Sequence, residues 1–178
     1  MARLLCCLAG LLLATLPGCA VEAGRQSAGP DRSIPIDMGH ILHGRINRDG
    51  ELVGLHHAPS APKKMNYEGS DCDVEIQQTS PGGDEDVVTA RIYLRDPRTK
   101  KIVAEKNSTL FPAAWKESQI EAAIREAYAQ AVKNGDIEDN GRWSGRTRSG
   151  IRIDGYLSRD NKRIATAFPV YVRKRGGR

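Results

Sequence analysis

One stretch of this chain repeats at helical spacing, and most of the remainder repeats at strand spacing. From Lys116 to Lys133, Ile120, Ile124, Ala127, Tyr128 and Ala131 recur three and four residues apart, the pattern of a helix with one buried face. Pro112 and Trp115 lead into it, and Asn134-Gly135 supplies the stop. Val87 to Arg95 instead alternates, with Val88, Ala90, Ile92 and Leu94 on one side and Val87, Thr89, Arg91, Tyr93 and Arg95 on the other. A single long helix set against several hairpins predicts an α+β domain built on antiparallel sheet.

Turn chemistry marks the hairpins. Gly44 to Asn47, the turn Arg48-Asp49-Gly50, and Glu51 to Leu55 read as one. A loop with Pro59, Pro62, Lys63 and Lys64 follows, then a strand from Asp73 to Gln78 and a turn at Ser80-Pro81-Gly82-Gly83-Asp84. Asp96-Pro97-Arg98-Thr99 turns the alternating strand into Lys101 to Lys106. Near the C-terminus, Ile151 to Leu157, a turn at Ser158-Arg159-Asp160-Asn161, and Ile164 to Val172 form a further antiparallel pair. Trp143, beside a glycine-rich stretch, is expected to anchor the core or a lid.

The first residues stand apart from this pattern. Arg3, the apolar run Leu4 to Leu16 and the closing Pro17-Gly18-Cys19-Ala20 have the layout of an export signal and are too short to cross a bilayer comfortably. Leu16-Pro17-Gly18-Cys19 resembles a bacterial lipobox, with Pro17 as a departure from it. On that reading residues 1–18 are removed, Cys19 becomes a lipidated N-terminus, and the exported protein is held at the cell envelope by its lipid. Cleavage after Ala20 or Ala23 would instead release a secreted protein. Residues 19–33 read as a flexible linker, 34–172 as the folded domain, and 173–178 as a basic tail. Cys6 and Cys7 leave with the signal, so lipidation of Cys19 leaves Cys72 without an intramolecular disulfide partner. Asp71 and Asp73 flank Cys72 and disfavour a nucleophilic thiolate. The surplus of 27 Lys+Arg over 22 Asp+Glu is a mild bias toward polyanions, well short of a histone-like charge.

All four histidines lie between positions 40 and 57, as His40, His43, His56 and His57. Such a cluster serves either acid-base chemistry or metal binding. The Asp49-Gly50 hairpin returns its far end to its start, which brings the neighbourhood of His40 and His43 to that of His56 and His57. A metal-binding lipoprotein using all four is one reading, although His40 and His43 would need a helical turn to share a face and no His-Glu-x-x-His pattern is present. No repeat, transmembrane span or phosphate-binding glycine loop is visible.

Gly39-His40-Ile41-Leu42-His43-Gly44, the hairpin, Gly54-Leu55-His56-His57, and the late block Thr147-Arg148-Ser149-Gly150-Ile151-Arg152-Ile153-Asp154-Gly155-Tyr156 together resemble the bacterial EndoU family of RNA-cleaving domains. The resemblance runs from about Ile34 to Val172 and implies the EndoU, RNase A-like nuclease fold and an endoribonuclease. It implies RNA, single-stranded or tRNA, as partner, and 2′,3′-cyclic phosphate product ends. Two histidines of opposite protonation provide the base and the acid for attack by the RNA's own 2′-hydroxyl. Matching the motif places the pair at His40 and His56; the residues alone leave either order of base and acid open, and analogy with the family assigns His56 as base and His40 as acid. Thr147 falls where bacterial members use a threonine, which would hydrogen-bond the scissile phosphate or else be a plain strand-edge residue. Lys64 and Lys63 are the nearest substitutes if a cation is needed, as in animal and viral relatives. Tyr156 matches a nucleotide-contacting tyrosine, and Ser149 and Arg146 join it as expected substrate contacts. His43 and His57 are expected to be local hydrogen-bonding residues. No metal or other cofactor is required in principle, with manganese stimulation left open. Family members often form the toxic ends of larger secreted proteins, so a toxin role with a neutralising immunity partner is one expectation and scavenging of RNA another. An RNA-free interaction domain retaining the fold is a third alternative. The chain is taken as a monomer.

Overall fold

The computed structural model describes residues 34–64, 70–79 and 87–172. The export signal, Cys19, the 19–33 linker, the Ser80–Asp84 turn and the 173–178 tail lie outside the described residues. The chain opens with a short helix α1 (Met38–His43), then a small hairpin of β1 (Arg45–Ile46) and β2 (Leu52–Val53), and a 3-10 turn at Ala58–Ser60. A meander of β3 (Asp71–Thr79), β4 (Val88–Arg95) and β5 (Ile102–Leu110) follows. After it come helix α2 (Glu117–Asn134) and a second meander of β6 (Arg142–Arg146), β7 (Arg152–Leu157) and β8 (Ile164–Pro169). Both three-stranded sheets are antiparallel and keep chain order, β3-β4-β5 and β6-β7-β8. The α+β class expected from the periodicities is the class observed.

The ends of α2 are set by local chemistry. Gln119 Oε1 accepts the N–H of Lys116 at 2.8 Å, and Gly135 adopts the left-handed conformation (φ 76°) while Asp136 N–H donates to Ala131 O at 2.9 Å. Its apolar face, with Ile120, Ile124 and Ala127 fully buried, packs on the β6–β8 sheet together with Trp143, Ile153 and Ile164. The approach is close enough that a Cβ on Gly145 of β6 would overlap the carbonyl of Ala127, which explains a glycine in mid-strand. Trp143 is 1 % exposed and is a core residue, crossed edge-on by Tyr128. A second core of Leu52, Leu55, Ala90, Ile92, Leu94 and Leu110 lies beneath the β3–β5 sheet and the small hairpin. The alternation of β4 buries Ala90, Ile92 and Leu94, the side expected.

Two elements and two strand ends differ from expectation. The block around His40 forms helix α1, capped by the Asp37 carboxylate on His40 N–H at 3.1 Å, because a single side-chain cap suffices for six residues where periodicity has no room to show. Strand β5 runs to Leu110 instead of ending at Lys106, with Lys106, Ser108 and Leu110 on its inward side; polar residues facing in conceal the period. Strand β8 stops at Pro169 instead of Val172, and Arg142–Arg146 is an edge strand that its glycine and arginine content does not announce.

Candidate active site at the seam of two sheets

The residues after β2 dock onto α1. Leu55 N–H donates to His40 O at 3.2 Å and His56 N–H to Ile41 O at 2.6 Å. This ties the far end of the hairpin to the helix that carries His40. Gly54, at φ 73°, lies so close beneath His40 that a Cβ would overlap the His40 carbonyl and come within 2.9 Å of its ring. On its other side His56 is held by β5's end, where Phe111 N–H donates to His56 O at 2.7 Å.

His56 is 7 % exposed, and its Nδ1 contacts both the Thr109 carbonyl and the Ser108 hydroxyl at 3.0 Å. A carbonyl only accepts, so Nδ1 carries the hydrogen and Nε2 presents a lone pair. Ser108 can then donate to Leu55 O at 3.2 Å. The Phe168 ring of β8 lies 5.5 Å from the His56 ring, tilted by 31°. His56 therefore stands where the two sheets meet.

Lys106 completes the cluster. Its Nζ donates to Gly54 O at 2.6 Å, and burial pushes its pKa down to about 8. Burial, then the Lys106 charge, pushes His56 down to about 3, against a smaller opposing contribution from the Thr109 carbonyl. His40 is also lowered, first by burial and then by Arg45, with Asp37 opposing and Lys106 adding to the shift. Its Nδ1 is buried and has no hydrogen-bond partner among the described residues. At neutral pH the cluster thus holds two uncharged imidazoles beside an ammonium group. Lys106 carries little sequence signal; the one available clue is a lysine on the inward side of an otherwise buried alternation, Ala104, Lys106, Ser108, Leu110.

His43 is exposed and its Nδ1 donates to Ser60 O at 2.8 Å. His57 is buried, with Nδ1 2.7 Å from Ser60 Oγ, whose hydroxyl donates to Glu117 at 3.4 Å. Burial lowers its pKa too, opposed by Ala113, Glu117, Pro112 and Trp115. The helical turn that His40 and His43 needed to share a face does exist, so that objection to metal binding falls. Among the described residues, however, no three of His, Cys, Asp and Glu gather in a group that could hold a metal ion.

The remaining candidates lie elsewhere. Thr147 sits in the β6–β7 turn, where its hydroxyl is 2.9 Å from Ser149 Oγ and accepts Ile151 N–H at 3.0 Å. With Arg146 and Ser149 it borders a groove of about 880 Å³ against α2. Among the described residues no hydrogen bond joins Thr147 to His40 or His56. Tyr156 is 40 % exposed on β7, opposite Arg142 and Thr166. Lys64 is exposed, and its backbone forms an isolated antiparallel β-bridge with Asp71 at the start of β3. Cys72 is half-buried, and burial followed by Asp73 pushes its thiol up to about 11, against a nucleophilic role.

Residues 37–171 match the family model described as bacterial EndoU nuclease. The chain belongs to this family. A protein named "Toxin" from Bacillus cereus (strain ATCC 14579) is 29% identical over 146 residues, covering 76% of this chain and 22% of the relative. The chain thus spans less than a quarter of that relative's length. No solved structure matches the chain. The matched EndoU region begins at the α1 cap Asp37 and ends two residues beyond β8, so it encloses both histidines, Lys106 and the β6–β7 turn.

Proposed function

We propose that this EndoU domain is an endoribonuclease that cuts RNA by attack of its own 2′-hydroxyl. The observation that carries the reading is the pairing of His40 and His56 around the half-buried Lys106 ammonium. His56 Nε2 takes the 2′-hydroxyl proton, the 2′-oxygen bonds to phosphorus, and the bond from phosphorus to the 5′-oxygen breaks as His40 delivers a proton to that oxygen. The products are a 2′,3′-cyclic phosphate and a free 5′-hydroxyl. Lys106 stabilises the charge gathering on the phosphorane oxygens. A bound phosphodiester anion opposes the Lys106 charge and raises the pKa of both imidazoles, favouring their protonated forms; His40, the less buried, gains the proton its role requires. Thr147 is assigned to a hydrogen bond with the scissile phosphate by family analogy, which requires RNA to take over its contact with Ser149. Phe168, beside His56, is placed to stack on a base, with Tyr156 further along the same sheet face. The chemistry as written calls for no metal.

The test is cleavage of end-labelled single-stranded RNA by His40→Ala and His56→Ala. Each is expected to lower the rate by about 10²-fold or more while the circular dichroism spectrum is retained. Full activity in the double variant would show that other groups do the chemistry.

The export-signal layout and the toxin relative support a protein that leaves the cytoplasm, carries lipid on Cys19 at the cell envelope, and acts on the RNA of neighbouring cells, with an immunity protein guarding the producer. Scavenging of RNA is the competing use of the same chemistry, and a small acidic protein encoded next door would favour the toxin role.

A further inference from the structure

Each histidine assigned to proton transfer has a second one close behind it that the chemistry leaves idle: His43 follows His40 on α1, and His57 directly follows His56. Both idle rings meet on one residue. His43 Nδ1 donates to the Ser60 carbonyl at 2.8 Å, and His57 Nδ1 lies 2.7 Å from the Ser60 hydroxyl. That hydroxyl gives its single proton to Glu117 of α2 at 3.4 Å, so His57 Nδ1 carries the hydrogen in the shorter bond. Ser60, the last residue of the 3-10 turn Ala58–Ser60, thus joins the helix that carries His40 to the segment that carries His56, and props both on α2.

That segment needs support. Leu55, the residue before His56, is fully buried at φ 59°, a left-handed conformation that a bulky side chain rarely adopts and that persists only where its surroundings hold it. Ahead of His56 the support is backbone, from Leu55 N–H to His40 O and from His56 N–H to Ile41 O. Behind it stand the Phe111 N–H on His56 O and the His57 ring. His57 is extended, at φ −145° and ψ 112°, so its side chain leaves the chain on the side opposite that of His56. The residue is 3 % exposed, and its Nε2 is buried with no hydrogen-bond partner among the described residues. Backbone groups of Pro112, Ala113 and Trp115 lie close enough to favour a charge on the ring, which puts it under the turn that leads into α2. An imidazole buried with one nitrogen unpaired stabilises poorly beside an apolar side chain of similar size. What it supplies is a directed bond to Ser60, one residue from His56.

Resting on the ribonuclease reading, we propose that His43, Ser60 and His57 form a brace that positions the His40–His56 pair. His57 is its main member: it pins the strained backbone of His56, so that Nδ1 stays on the Thr109 carbonyl and Nε2 stays aimed at the 2′-hydroxyl. His43, through the Ser60 carbonyl, holds α1 and its His40 at a fixed distance from that segment.

The test pairs steady-state cleavage of single-stranded RNA with nitrogen NMR of the histidine rings. In the parent protein His56 is expected as a single tautomer protonated at Nδ1. His57→Phe keeps a ring without the bond; it is expected to lower kcat about tenfold or more with KM within about twofold, and to give His56 a mixture of tautomers. Ser60→Ala keeps the carbonyl for His43 and removes only the hydroxyl, and is expected to lower kcat about three- to tenfold. His57→Asn, whose amide can donate to Ser60 in place of Nδ1, brings kcat back to within about threefold of the parent. A folded His57→Phe protein with parental kcat and a single His56 tautomer would overturn the brace, as would a loss that His57→Asn does not recover. If His57→Phe fails to fold, Ser60→Ala decides, and parental kcat with an unmoved His56 tautomer there overturns the proposal. Should the parent cut nothing while His57→Phe still mixes the His56 tautomers, the brace stands and the catalytic reading fails; cleavage with kcat and tautomer unmoved means the reverse.

Discussion

Burial holds both His56 and Lys106 in unusual states, with the Lys106 charge adding to the His56 shift, and the consequence is measurable. The folded His56 pKa of about 3 lies below its ordinary 6.5, so the fold favours the neutral ring. Between those values the unfolded chain binds a proton that the folded one refuses, and stability falls as pH drops from about 6.5 toward 3. Thermal melts from pH 7.5 to 4 are expected to show a shallower acid loss in His56→Gln than in the parent; parallel curves would mean His56 is not held neutral. Removing the ammonium with Lys106→Met should move the His40 and His56 titrations upward by NMR, because its charge lowers both. Stationary titrations would place Lys106 outside the site's electrostatics. The two histidines were legible because an Asp-Gly turn between them has an unmistakable signature. Lys106 was not, because a lysine in a strand reads as solvated surface until the strand's inner face is known.

At the scale of elements, the site depends on how the β1–β2 hairpin meets α1. Gly54 and Gly50 both have positive φ, 73° and 79°, but a Cβ at Gly50 meets nothing within 4 Å whereas at Gly54 it strikes His40. Gly50→Ala is therefore expected to cost about 1 kcal/mol from backbone strain alone, with cleavage kept within a few-fold. Gly54→Ala should cost about 2–4 kcal/mol and remove most activity by displacing His40. Denaturant melts and initial rates on both variants check this, and equal effects would show that the close approach does not set the His40 position. Helix α2 and the hairpins other than β6–β7 announced themselves through periodicity and turn residues. Helix α1 did not, since six residues span less than two turns, and its one sign was Asp37 placed to cap His40.

Over the whole molecule, the site occupies the seam between two cores, one under α2 and the β6–β8 sheet and one under the β3–β5 sheet. The α+β class followed from one helix among hairpins, but which strands face across that seam did not, because contacts such as Phe168 with His56 join residues more than a hundred positions apart. The expected Thr147, by contrast, emerges in a turn with its own hydrogen bonds, and its service to the phosphate is a question for kinetics. At this scale too, Cys19→Ser is expected to shift the expressed protein out of the detergent phase on Triton X-114 partitioning, and unchanged partitioning would contradict lipidation. The central claim is that two histidines and a lysine cut RNA through its own 2′-hydroxyl. Incubating the purified protein with end-labelled single-stranded RNA in excess chelator and analysing the new ends tests it directly: 2′,3′-cyclic phosphate termini that vanish in His56→Ala are predicted, and no cleavage, or termini bearing a 3′-hydroxyl, would contradict it.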